Sequence, residues 1–182
     1  MLKRLSLAVA LSCLAITAAA DTTWKVDHDQ SALSFAVEIG GTEAVGAFGR
    51  WDADITFDPT APELGTVVVS IDIASVRIDD DRAQAIADPA WLGAADHPTA
   101  RFASTAFDLA SDGTLTVPGT LTLKGIDLPL TLTGTLSVEN STARADLSST
   151  IDRTSHDIGV GQNTVAPDVA VTATLLAHCV AD

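Results

Sequence analysis

The sequence predicts an all-β fold: an antiparallel sheet of about eight strands with one short helical excursion. Three observations carry that prediction. Apolar and polar residues alternate at period two through most segments, turn-forming residues separate those segments at short intervals, and one alanine-rich stretch departs from the rhythm. Alternation at period two buries one face of a strand and wets the other, which is the pattern of antiparallel sheets.

In chain order, the first twenty residues read as a secretory signal. Lys3 and Arg4 give a positive start, Leu5 to Ile16 an almost unbroken apolar run, and Ala18-Ala19-Ala20 a small-residue cleavage site that leaves Asp21 as the new N-terminus. The run is shorter than the roughly 20 apolar residues of a membrane-spanning helix. Leu11-Ser12 before Cys13 is a poor match to a lipoprotein site. The expected division is a signal over 1–20 and one domain over 21–182.

Leu33, Phe35, Val37 and Ile39 alternate with Ser34, Ala36 and Glu38 in the first clear strand. Val67, Val69, Ile71 and Ile73 share the face of a second. Leu115, Val117, Leu121 and Leu123 form a third, with a bulge or bend expected at Pro118-Gly119. Leu128, Leu130, Leu132, Leu136 and Val138 make a fourth, and Val169, Val171, Ala173, Leu175 and Ala177 a last one. Gly40-Gly41, Asp58-Pro59, Ser111-Asp112-Gly113, Lys124-Gly125 and Glu139-Asn140-Ser141 supply turns between such runs. Asp79 to Leu92 is the expected helical excursion. Asp80 or Asp81 suits a cap, Asp88-Pro89 opens a second turn, and Ile86, Ala90 and Trp91 form an apolar stripe against one opening.

Without its first twenty residues the chain loses two of ten basic residues and no acid. That leaves eight basic residues against 24 acidic ones, a net charge of −16. Such a surface repels nucleic acid and anionic lipid headgroups, so no nucleic-acid role is expected. Cys179 is then the one remaining cysteine, and the fold stands on its core without an internal disulfide. A transmembrane barrel is disfavoured, because the chain has no tyrosine and three tryptophans from which to build aromatic girdles.

Catalytic signals are missing. His28, His97, His156 and His178 stand in no metal-binding spacing and read as surface or loop histidines; nucleophile elbow, phosphate loop and HExxH are absent. Asp152-Arg153 and His156-Asp157 read as loop ion pairs or capping groups. No catalytic residue, metal ligand or cofactor is assigned. An eight-stranded barrel has an interior that side chains just fill or that holds one small ligand. Here Ala44, Ala47, Ala53, Ala145 and Ala173 take little room, and composition leaves void and packed core equally open.

Trp24-Lys25-Val26-Asp27, Gly46-Ala47-Phe48, Ile55-Thr56-Phe57-Asp58-Pro59 and Asp88-Pro89-Ala90-Trp91-Leu92 resemble motifs of the YceI-like proteins. So do His97-Pro98-Thr99-Ala100-Arg101-Phe102, Gly119-Thr120-Leu121-Thr122-Leu123-Lys124-Gly125 and Ile151-Asp152-Arg153 with Ile158-Gly159-Val160. Thr154-Ser155-His156-Asp157 departs from the aromatic that the family often carries after its Asp-Arg pair. The resemblance implies a lipocalin-like barrel, a periplasmic location, no catalytic residues, and a long apolar ligand such as a polyisoprenoid or quinone tail. On that reading the candidate ligand-binding residues are Phe35, Val37, Phe48, Trp51, Val69, Ile71, Trp91, Leu92, Phe102, Leu121, Leu123, Leu130 and Leu132. The rival reading is an interaction module that docks to a membrane b-type cytochrome without carrying lipid.

Overall fold

The structure is a computed structural model and describes residues 22–78 and 88–180. Its strands are β1 (Thr23–Val26), β2 (Ala32–Ile39), β3 (Thr42–Phe48), β4 (Trp51–Thr56), β5 (Thr66–Asp72), β6 (Val76–Ile78), β7 (Thr99–Ser104), β8 (Asp108–Leu109), β9 (Thr114–Leu123), β10 (Ile126–Glu139), β11 (Thr142–Asp152) and β12 (Val165–Val180). Every pairing is antiparallel. The order β1-β4-β5-β7-β9-β10-β11-β12 returns to β1, so eight strands close into a barrel.

Strands β2, β3 and β6 prolong one side of that ring. β12 pairs with β1 at Ala177–Val180 and with β2 between Val165 and Thr174, so β1 and β2 lie end to end along one edge. β3 continues β4 and β6 continues β5 in the same way. Carboxylates make two of the three breaks. Asp27 accepts the Asp29 amide at the 3-10 turn His28–Gln30, and Asp72 accepts the Ala74 amide at Ile73–Ser75. The third break, at Gly49-Arg50, is tied to the second, where the Arg50 amide donates to Ser75 Oγ at 2.9 Å and the Gly49 amide to the Ser75 carbonyl at 3.0 Å.

Turn chemistry fixes the hairpins. Gly40 and Gly41 (φ 60° and 81°), and Lys124 and Gly125 (φ 53° and 76°), have positive φ at both central positions, as a type I′ turn requires. Pro118-Gly119 does not break its strand. β9 runs through it in register, with Pro118 opposite Thr131 and Gly119 opposite Leu130. A strand residue points its N–H and C=O toward the same neighbour. The Pro118 carbonyl accepts the Ser104 hydroxyl, so the missing N–H faces the gap where pairing with β7 has ended at Thr120 and pairing with β8 begins at Thr116. Gly119 makes room for the Phe102 ring, which its Cβ would strike.

The expected helical excursion falls largely on residues 79–87, which lie outside the described residues. Asp88-Pro89 does open a turn: Asp88 accepts the Ala90 amide on its carboxylate at 2.8 Å and the Trp91 and Gly93 amides on its carbonyl.

Candidate functional site: a blind apolar cavity

The inward faces of the strands enclose a cavity of about 470 Å³, so the interior is not filled by its own side chains. All thirteen residues picked from the sequence stand on its wall. Phe35 and Val37 come from β2, Phe48 from β3, Trp51 from β4, and Val69 and Ile71 from β5. Phe102 comes from β7, Leu121 and Leu123 from β9, and Leu130 and Leu132 from β10, while Trp91 and Leu92 sit in the turn after Asp88. Register joins them around the barrel, with Trp51 opposite Ile71, Val69 opposite Phe102, and Phe102 opposite Leu121. Small residues make the space. Ala53, Ala145 and Ala173 line it, and Gly46 lies so close under the Phe35 ring that a Cβ would overlap it. Ala44 is off the wall, and Ala47 faces a shallow outer cleft beside His28, Arg50 and Arg77.

The two ends of the cavity differ, and alternation marks Leu115 and Val117 at one of them but neither Phe107 nor Arg153. One end is a floor. Trp24, Phe57, Phe107, Leu115 and Val117 are buried there, with Phe57 and Phe107 edge to face at 5.4 Å between ring centres. The Trp24 indole N–H donates to the Phe57 carbonyl at 2.8 Å, so its one polar atom is satisfied. Phe107 lies in the loop between β7 and β8, where no alternation marks it.

The other end is a mouth, built around Arg153. Its side chain is 5 % exposed and donates all five N–H groups to main-chain carbonyls. The acceptors are Ile158 (2.7 Å), Gly159 (2.6 Å), Gln162 (3.0 Å), Val165 (2.6 Å) and Ala166 (2.9 Å). This corrects the expected loop ion pair: the guanidinium organises the 158–166 loop as a carbonyl cradle. Asp152 does cap. It accepts the Thr154 hydroxyl and amide and the Ser155 hydroxyl, and these bonds, the Thr154 hydroxyl foremost, hold its carboxyl below the usual range.

His156, expected among surface or loop histidines, is 2 % exposed, with Nδ1 3.3 Å from the Leu123 carbonyl. The loop it begins meets the 88–97 turn where the Gly159 amide donates to the Ala90 carbonyl at 2.8 Å. Trp91 packs on Gly159 (φ 55°), and the Arg153 guanidinium lies 5.8 Å from the Trp91 ring centre. Among the described residues, the polar members of the wall besides Arg153 are Gln162 and Thr164, both exposed at this mouth. Among the described residues no three His, Cys, Asp or Glu side chains converge on a point that could hold a metal ion.

The sequence profile of the YceI-like domain matches residues 24–177. The chain belongs to the YceI-like family. Curated relatives include a UPF0312 protein of Pseudomonas savastanoi pv. phaseolicola, 30% identical over 145 residues and 76% of each chain. A UPF0312 protein of Azotobacter vinelandii is 30% identical over 138 residues and 72% of each chain. Among solved structures, Burkholderia cenocepacia BcnA is 28% identical with a TM-score of 0.79, over 83% of this chain and 98% of that one. A polyisoprenoid binding domain from Saccharophagus degradans, implicated in plant cell wall breakdown, shares the fold at 17% identity and a TM-score of 0.68, over 87% of this chain and 99% of that one.

Proposed function

We propose that this YceI-like protein carries or stores a long apolar molecule, a polyisoprenoid or quinone-type lipid, inside its barrel in the periplasm, and that it does no chemistry on it. The observation that carries this reading is the cavity wall, which among the described residues is apolar from floor to mouth apart from Arg153, Gln162 and Thr164. A ligand site is normally an apolar concavity with a few placed polar groups, of roughly 300–1,000 Å³, and this one falls in that range. Each buried methylene contributes about 0.8 kcal/mol, so ten give ~8 kcal/mol before the costs of association, enough for micromolar binding where those costs are small. A neighbour of the same fold is described as polyisoprenoid binding, which agrees with the reading. The signal-like residues 1–20 support export.

Tryptophan fluorescence provides the test. Trp24, Trp51 and Trp91 are the chain's three tryptophans, and all three line the cavity. Titration with a short-tailed quinone is expected to quench them saturably. Phe35→Asp, which places an unpartnered carboxylate on the wall, is expected to abolish the saturable component. A wild-type protein whose emission no quinone or prenyl compound alters would overturn the proposal.

A further inference from the structure

We infer that the barrel measures its ligand: the chain enters tail first at the mouth beside Trp91, and the Phe57–Phe107 pair at the floor sets the longest tail that can be buried. The inference rests on the reading that the cavity holds an apolar chain. It adds a direction, a length limit and the residues that impose it.

Direction follows from the contrast between the ends. At the floor the Trp24 indole is already bonded and, among the described residues, no polar side chain reaches the lining, so a buried polar head would find no partner there. Gln162 and Thr164 stand exposed at the mouth and can meet a head group, whereas the donors of Arg153 are all engaged. The floor is also backed by chain. Phe57 donates its amide to the Thr22 carbonyl at 2.9 Å, a 3-10 turn follows at Pro62–Leu64, and Gly65 touches the Phe107 ring so closely that a Cβ would overlap it. That contact holds the ring from behind, so an arriving tail meets a braced aromatic pair.

Length follows from the strands. β12 lines the cavity from Val165 near the mouth to Ala177 at the floor. Twelve steps at about 3.3 Å, tilted by about 40°, span roughly 30 Å along the barrel axis. With C–C bonds of about 1.5 Å, a prenyl unit of four chain bonds extends roughly 5 Å, so the depth admits at most about six units. The volume gives the smaller capacity: 470 Å³ holds about sixteen heavy atoms at ~30 Å³ each, or three units, so the limit falls between about three and six units.

The test measures dissociation constants for all-trans prenyl alcohols of two to nine units, by displacement of a fluorescent apolar probe. Affinity is expected to rise at least tenfold per unit, up to a length between three and six units, and then to stay flat. Phe107→Ala should move that turning point about one unit longer. Ala143→Leu, which fills the floor, should move it about one unit shorter. Should Phe107→Ala fail to fold, Phe107→Leu and Ala143→Leu decide the matter. A turning point unmoved in the folded variants, or an affinity still rising at nine units, would overturn the length limit while leaving lipid binding intact. Failure of the wild type to bind any of these alcohols would instead remove the proposed function beneath it.

Discussion

Replacing Arg153 by methionine keeps the length of the side chain and removes five hydrogen bonds to the 158–166 loop. The acceptors do not lose equally. Ile158 and Gly159 are buried, and their carbonyls would have no water to turn to, which costs about 1–3 kcal/mol each. Gln162 is exposed, and Val165 and Ala166 are half-buried, so these carbonyls recover much of their bonding from solvent. Releasing an unpaired buried charge offsets part of the loss. The balance is about 2–4 kcal/mol of destabilisation. With a urea dependence near 2 kcal/mol per molar, the unfolding midpoint is expected to fall by roughly 1–2 M. Lysine, with three donors on a point charge in place of a five-donor fork, should recover less than half. Trp91 rests on this loop, so its emission should shift to the red in the methionine variant before global unfolding. A methionine variant within about 0.5 kcal/mol of wild type would show that the carbonyl cradle is not what holds the mouth together.

Leu123→Trp adds volume on the cavity wall. Because the space is open, the variant should fold within about 1 kcal/mol of wild type and lose bound lipid, whereas a filled core would lose roughly 1–3 kcal/mol of stability; calorimetry with lipid quantification separates the two. Asp27, Asp58, Asp112 and Asp152 have carboxyls lowered by turn hydrogen bonds: the Gln30 amide foremost at Asp27, the Thr60 and Thr114 backbone amides at Asp58 and Asp112, and the Thr154 hydroxyl at Asp152. Their folded values lie below their unfolded ones, so their stabilisation is complete above about pH 4 and is lost as pH falls through the folded values. Urea midpoints should therefore hold steady from pH 7 to 5 and fall below 4, and a drop already complete at pH 5 would contradict this. N-terminal sequencing of exported protein should read from Asp21, and a retained Met1 would refute the export reading.

Most of the barrel wall was legible because alternation at period two is local: once Phe35 and Val37 face inward, the register carries the rest. That is why the thirteen residues that the sequence pattern turns inward share one cavity. Trp91 stands at an opening as the sequence suggests, but the aromatic pair of the floor and the Arg153 cradle of the mouth are not legible, for a different reason. Phe57 and Phe107 lie in loops beyond strand ends and meet only because β4, β5 and β7 are neighbours. Arg153 was misread because a charged pair in sequence, Asp152-Arg153, suggests an ion pair. In the structure Asp152 turns outward to cap Thr154, while Arg153 turns inward. The cluster of glycines and polar residues that follows, Gly159 to Thr164, was the available signal, since a loop with little side chain of its own needs an outside donor for its carbonyls. Pro118 misled because proline usually marks an edge or a bulge. Here the edge is internal, a gap between two short strands.

The central claim, that this cavity holds an apolar chain, is tested most directly by mass spectrometry of organic extracts from protein exported and purified without detergent. The account predicts one dominant lipid with an apolar tail and a single polar end, recovered near one molecule per chain and depleted in Leu123→Trp. Extracts devoid of lipid, from a wild-type protein that also takes up none when offered quinones and prenyl alcohols, would contradict it.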